Sequence, residues 1–182
     1  DIGDTKFSAF QLNTNFNRQT VGSCLRDLTS SQTLTNMTLA GTLTVSAGPT
    51  DLTAGGDISL TSAGNDFNGT VNATGVNIAL VDGTGGLVLG NIDASGNLNA
   101  TSTGGDITQD TSGGNKIVVD GSTTLSASNG AAPADITLNG ANNDFAGTVN
   151  ATGANIALVD GTGGLVLGNI DASGTLGATS TG

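Results

Sequence analysis

The sequence predicts an all-β protein built as an elongated β-solenoid, in which successive coils of the chain stack as in a parallel β-helix. Three observations support this prediction. A 78-residue segment returns almost letter for letter, apolar residues recur in pairs two positions apart, and glycine-rich turn signals separate these pairs. Each rung of a stacked rod meets nearly the same neighbours as the last, so such a fold accommodates near-identical repeats.

The repeat aligns residues 57–104 with residues 135–182, a period of 78 residues. From residue 63 to residue 104, 37 of 42 positions are identical in the second copy. An antiparallel β-sandwich would also have strands at this spacing, but its strands occupy unlike environments and give no reason for the duplication. The repeat therefore favours the solenoid. A trimeric shaft in which three chains share the coils stays open.

Apolar pairs two residues apart indicate strands, because this spacing places both side chains on one face. One strand begins about every 9 to 11 residues, which predicts coils of about 20 residues. We expect the leucines of these pairs to point into a common core, and the two copies to be related mainly by translation along the rod. The pairs are Ile58/Leu60, Ile78/Leu80, Leu87/Leu89, Ile117/Val119, Ile136/Leu138, Ile156/Leu158 and Leu165/Leu167.

Segments rich in Gly, Asn and Asp separate the strands, among them "AGNDFNG", "DGTGG" and "STGGD". Asn-Gly and Asp-Gly dipeptides favour turns, and glycine permits tight corners. Phe67 and Phe145 occupy equivalent positions in the two copies, and we expect them to close corners of the core. The sequence begins without Met and stops within a repeat, and we expect it to be a piece of a longer protein.

The composition argues against a helical protein and against several classes of partner. All 15 acidic residues are Asp, 30 residues are Gly, and only Lys6, Arg18, Arg26 and Lys116 are basic. Asp, Gly, Asn and Thr favour turns and strands over helices. The net charge of −11 leaves few groups to neutralise phosphate, so we expect no nucleic-acid partner. No apolar run approaches the length of a membrane span, and we expect no membrane insertion.

The chain lacks His, Tyr, Trp and Glu, which removes most catalytic and metal-binding designs. The acidic residues are placed singly at turns, as at Asp66, Asp82 and Asp93, and the second copy repeats the arrangement. "VDGTGGLVLG" follows a strand, but neither a Lys nor a helical pattern follows it, and we interpret it as a solvated turn rather than a phosphate or calcium site. We therefore expect no enzymatic activity, no catalytic or metal-binding residues and no cofactor.

The first fifty residues differ from the rest, because three of the five Phe residues lie within them. Residues 1–30 are predicted to form an anchor whose partner contacts are Phe7, Phe10, Leu12 and Phe16. A helix capped near Asp4 and a strand both fit the spacing of these residues. Residues 31–52 form a connector in this interpretation. Residues 53–182 form the shaft, with one unit at 57–134 and an incomplete unit at 135–182.

The segment "GDTKFSAFQLNTNFN" resembles a motif found near the start of many tailed-phage fibre proteins, and "SSQTLTNMTLAGTLTVS" resembles a phrase common in the same proteins. Leu12 and Met37 stand where these patterns usually have Lys. The resemblance covers about the first 46 residues. It implies a homotrimeric virion component that joins phage tail or connector proteins through its N-terminal segment. It also implies host attachment through a receptor-binding region further along a longer chain.

Most of residues 53–182 resembles the long repetitive β-solenoid adhesins of bacteria, whose repeats read like "AGNDFNGTVNATG". This resemblance implies an architecture more than a function. It leaves two alternatives beside the phage fibre or spike. One is the shaft of a secreted adhesin at the bacterial cell surface, with residues 1–50 as a cap. The other is a polysaccharide-degrading tailspike, which requires a groove lined by carboxylates between the coils.

Overall fold

The structure, a computed structural model, describes residues 37–38, 44–45 and 48–181 of the chain. Short strands fill almost all of the described part, with one 3₁₀ turn at Ser112–Gly114. The strands are β1 (Met37–Thr38), β2 (Thr44–Val45), β3 (Thr50–Thr53), β4 (Ile58–Leu60), β5 (Asp66–Phe67), β6 (Thr70–Gly75), β7 (Ile78–Asp82), β8 (Leu87–Ala94), β9 (Leu98–Ser102), β10 (Gly104–Gly105), β11 (Ile107–Gln109), β12 (Ile117–Val119), β13 (Thr123–Asn129), β14 (Ala132–Pro133), β15 (Ile136–Leu138), β16 (Asp144–Phe145), β17 (Thr148–Gly153), β18 (Ile156–Asp160), β19 (Val166–Ala172) and β20 (Leu176–Ser180).

Two sheets of nine strands each are formed as the chain passes back and forth between them. The first sheet stacks β1, β4, β7, β9, β13, β17 and β19, with β10 and β14 beside β13. The second stacks β3, β6 and β8, then β11 with β12, then β15 with β16, and last β18 and β20. Among the described strands, only β10 and β14 run antiparallel to their neighbour. The predicted all-β solenoid is confirmed.

The register between coils follows the predicted length. Ile58 pairs with Ile78, and Ile78 pairs with Leu98, so each coil here takes 20 residues. The next step joins Leu98 to Thr123, a longer coil that leaves room for the loop containing the 3₁₀ turn. Regular coils therefore carry the stack, and extra residues are placed outside it.

Both sheets contribute side chains to one apolar core. Phe67 and Phe145 are buried within it, as predicted. Five of the six leucines expected to point inward are at most 1% exposed: Leu60, Leu80, Leu89, Leu138 and Leu158. The sixth, Leu167, is 38% exposed, so the prediction is wrong for this residue. It lies on β19, the edge strand of the first sheet, and no further strand among the described residues covers it.

The relation between the two copies differs from the expected translation. Strands β4, β7 and β9 belong to the first sheet, whereas their copies β15, β18 and β20 belong to the second. Strands β6 and β8 lie in the second sheet, and their copies β17 and β19 lie in the first. The chain crosses between the sheets seven times from Ile58 to its copy Ile136, and an odd number of crossings ends on the opposite sheet. The copies are therefore related by a screw of about half a turn.

The two copies supply a matched test of the core. Leu89 is fully buried, whereas its copy Leu167 lies on the edge strand. We expect Leu89→Ala to lower the free energy of unfolding by about 2–5 kcal/mol, because it leaves a cavity between covered coils. Leu167→Ala should cost about 1 kcal/mol or less, since its side chain is partly in water already. Equilibrium unfolding in urea measures both, and equal losses would contradict the stacked core.

Candidate functional site

The residues predicted to make partner contacts, Phe7, Phe10, Leu12 and Phe16, lie outside the described residues. The structure therefore places none of them, and their role stays a prediction. The polar side chains at the corners of the solenoid are the part of the candidate surface that the structure does describe.

No group of three or more His, Cys, Asp or Glu side chains comes together within the described ranges. No helix in that part of the chain has the length and apolar character needed to cross a membrane. A shallow depression is lined by Thr111, Asn115, Asn139 and Asn142, among others. These side chains offer amide and hydroxyl groups to water, and no charged group lines the depression.

The first corner carries a ladder of hydrogen bonds between coils. Asp57 Oδ1 accepts from Asn77 N at 3.1 Å and from Asn77 Nδ2 at 2.9 Å. Asn77 Oδ1 in turn accepts from Asn97 N at 3.0 Å and Nδ2 at 3.3 Å. Asn97 Oδ1 accepts from Ser122 N and Ser122 Oγ, both at 2.9 Å. Each of these four residues immediately precedes a strand of the first sheet, so the ladder fixes where each coil turns.

A second ladder runs along the corner that leads into the second sheet. Asp106 Oδ1 accepts from Asp135 N at 2.9 Å, and Asp135 Oδ1 accepts from Asn155 N at 2.9 Å and Nδ2 at 3.0 Å. Asn155 Oδ1 accepts from Thr175 N at 3.1 Å and Oγ1 at 2.9 Å. Three members of this ladder are the 78-residue copies of Asp57, Asn77 and Asn97. The exchange of sheets between the copies therefore places the same ladder on opposite edges of the rod.

A bulge bends the strands β6 and β8 where the register shifts between Val71 and Ala73. Asn72 Oδ1 accepts from Asn91 N at 2.7 Å, and Asn72 Nδ2 donates to Asp51 Oδ1 at 2.7 Å. A Cβ at Gly90 would collide with Asn72 Oδ1, so only glycine leaves this side chain its place. The second copy repeats the bulge with Asn169 N donating to Asn150 Oδ1 at 2.8 Å.

The interior corner near Asp82 differs from the solvated turn that the sequence suggested. Asp82 and its copy Asp160 are 0% exposed, so neither carboxylate faces water. Asp82 Oδ1 accepts long hydrogen bonds from Phe67 N at 3.4 Å and Thr84 N at 3.3 Å. Burial raises the pKa of Asp82, the N–H groups of Thr84 and Phe67 oppose this rise, and the nearby Asp66 charge adds to it.

The interpretation of Asp82 as part of a solvated turn is therefore wrong. Asp82 is the last residue of β7, and its position two residues after buried Leu80 places its side chain on the inner face of the sheet. By contrast, Asp93 and its copy Asp171 are exposed, as expected of side chains at the surface. The alternation of β7 was visible in the sequence, and continuing it by one more step would have indicated the buried aspartate.

The sequence analysis also missed both ladders. Their signal is an Asp or Asn directly before the first apolar residue of a strand, as in Asp57-Ile58, Asn77-Ile78 and Asn155-Ile156. The same residues are common in turns for local reasons, so composition alone does not distinguish a turn from a ladder. Only the 20-residue register brings them into line.

Substitution of a middle ladder residue tests the contribution of these bonds. Asn77→Ala removes the side-chain bond to Asp57 and both bonds accepted from Asn97. We expect a loss of about 1 kcal/mol in the free energy of unfolding, because solvent partly replaces hydrogen bonds at an exposed corner. The measurement is urea unfolding followed by circular dichroism.

Asn99→Ala is the matched control, because Asn99 is also an exposed asparagine of this sheet and lies outside the ladder. Its loss should be about 0.5 kcal/mol or less, as is usual for surface substitutions. A loss for Asn99→Ala as large as that for Asn77→Ala would show that the ladder adds nothing of its own.

Comparison with known proteins matches the chain to a family described as "Repeats of unknown function (DUF5649)", over residues 5–74 and again over residues 75–152. The second match has the length of the 78-residue period. No curated protein and no solved structure matched the chain. Because the two family matches cover most of its length, the chain belongs to the DUF5649 family of repeats.

Proposed function

We propose that this protein is a structural shaft of a phage fibre or spike, linking the virion to a distal receptor-binding region for host attachment. The observation that carries the proposal is the continuous parallel stacking of coils across both copies of the repeat. A stack of this kind is a spacer by construction, because each added coil lengthens it by about 4.8 Å. It also provides a surface that is the same in kind along its whole length.

Stiffness is the property that such a shaft requires, and the described coils have three sources of it. Backbone hydrogen bonds join every coil to the next, the apolar core runs through both sheets, and the two corner ladders lie on opposite edges. Bending the rod toward either edge would stretch one ladder while compressing the other. Bending therefore works against hydrogen bonds on both sides.

The outward side chains support a spacer rather than a catalytic surface. Strands β9, β13 and β17 present Asn99, Thr101, Thr124 and Thr152 on the outer face of the first sheet. These short polar groups keep the surface soluble and carry neither charge nor aromatic area for gripping a ligand. The absence of converging acidic groups in the described part gives the tailspike hypothesis no groove to act in.

The attachment to a virion and the trimeric state rest on the resemblance of the first 46 residues to phage fibre proteins. Three phenylalanines within ten residues form an apolar cluster that an independent rod does not need. Packing about a threefold axis would bury one side of this segment, and a tail or connector protein would bury another. Phe7, Phe10, Leu12 and Phe16 are the residues proposed for these contacts.

One observation favours the shaft of a bacterial surface adhesin as the second candidate. The repeat family matches from residue 5 onward, so the first match includes the segment that we propose as the anchor. If that segment is a divergent repeat, it acts as a cap for the first coil, and the shaft is monomeric. The oligomeric state of the chain therefore separates the two candidates.

The anchor predicts that the chain is a trimer and that truncation of its phenylalanines dissociates it. We expect Phe10→Ala and Phe16→Ala to sediment as monomers while keeping the β-rich circular dichroism spectrum of the shaft. Each truncation of a buried Phe costs about 3–5 kcal/mol per subunit, which is large relative to a typical association energy. Analytical ultracentrifugation of the purified chain measures the outcome.

The control is Val76→Ala, which removes an exposed apolar residue from the shaft, 38% accessible, and should leave the trimer intact. A wild-type chain that sediments as a monomer would contradict the anchor and favour the adhesin shaft. Trimers that survive both Phe substitutions would show that the shaft itself makes the contacts.

A further inference from the structure

Three oxygen atoms without a hydrogen-bond partner lie at one interior corner. They are Asp66 Oδ1, Asp82 Oδ2 and Ser102 Oγ, and each is buried. Asp82 and Ser102 are 0% exposed and are register partners on the adjacent strands β7 and β9. Side chains paired in register on parallel strands project from the same face, so both point inward. Asp66 precedes Phe67, whose N–H lies 3.4 Å from Asp82 Oδ1.

A buried carboxylate oxygen without a partner costs free energy, and the cost is larger when the group is ionised. Within the described residues Lys116 is the only basic side chain, and it is exposed to solvent. No described cationic side chain therefore lies in this corner to compensate the charge. Two neighbouring aspartates add their potentials, as the raised pKa of Asp82 reflects, and the corner is attractive to a cation.

The same constellation occurs in the second copy. Asp144, Asp160 and Ser180 lie 78 residues after Asp66, Asp82 and Ser102. Asp160 is 0% exposed, and its Oδ2 is again without a partner. Ser180 differs, because it is exposed on the edge strand and its Oγ accepts from Leu165 N at 3.3 Å. The second corner is therefore less enclosed than the first.

We infer that the corner of Asp66, Asp82 and Ser102 binds a hard divalent cation with the chemistry of Ca²⁺. Ca²⁺ takes carboxylate, hydroxyl and carbonyl oxygens in variable geometry, which suits side chains whose positions are set by the coil register. Mg²⁺ requires near-ideal octahedral geometry and gives up its water reluctantly, and transition metals prefer nitrogen or sulfur ligands. The inference departs from the expectation of no metal site, and it is independent of the proposed fibre function.

Two carboxylates make a weak site. No three acidic groups converge within the described ranges, so main-chain carbonyls or water would complete the coordination. Calcium sites of extracellular modules have dissociation constants of about 10⁻⁴–10⁻³ M, and we expect the first corner to fall in this range. The second corner, with Ser180 exposed, should bind more weakly.

The test uses the full 182-residue chain, freed of metal and titrated with CaCl₂ at constant ionic strength. Calorimetric titration and the thermal unfolding midpoint are the two measurements. We expect saturable binding, and a midpoint that rises with Ca²⁺ and much less with Mg²⁺. Asp82→Asn should abolish the high-affinity phase, and Ser102→Ala should weaken it several-fold.

Asp93→Asn is the matched control, because it removes one negative charge from an exposed position of the rod. It should bind Ca²⁺ as the wild type does, which separates a site from general attraction to a chain of net charge −11. If Asp82→Asn fails to fold, Asp66→Asn serves in its place.

Three outcomes would overturn the inference. The first is the absence of saturable binding up to about 10 mM Ca²⁺. The second is an equal rise in unfolding midpoint with Mg²⁺, or with Asp82→Asn. The third is a wild-type midpoint that depends on pH but not on Ca²⁺, which would assign the corner to a proton held between the two aspartates.

Discussion

The parallel backbone ladder between successive coils is the interaction on which the other features of this protein depend. It forces residues about 20 positions apart into register, so any side chain placed before, within or after a strand meets its counterpart in the next coil. The apolar columns, the asparagine ladders and the buried aspartate corner are all consequences of this one alignment. A shift of a single residue would turn the apolar side chains outward and separate both ladders.

The ladders and the core act in different places but obey the same register. Inside, Ile58, Ile78 and Leu98 stack over one another. One residue earlier, Asp57, Asn77 and Asn97 link the same coils at the surface. An amide side chain suits this position, because its oxygen accepts from one neighbouring coil while its nitrogen donates to the other. The coil is thus held at its centre by burial and at its edge by hydrogen bonds.

The odd number of sheet crossings in the repeat gives the rod a property that a simple translational repeat would lack. Equivalent surfaces appear alternately on opposite sides of the shaft, about three and a half coils apart. A spacer with this symmetry has no favoured side, and the bending resistance of one copy is mirrored by the next. The same alternation places the two aspartate corners, at Asp82 and Asp160, on opposite sheets.

The sequence by itself determined the strand positions, the coil length and most of the core. Period-two apolar pairs at Ile78/Leu80 and Ile156/Leu158 lie where the strands do, because alternation is a local property of an extended chain. Tertiary structure alone decided which sheet each copy occupies, since that depends on how many times the chain crosses between them. It also decided the burial of Asp82 and the exposure of Leu167. Both follow from the neighbouring strands, and residues with the same local sequence therefore have different surroundings.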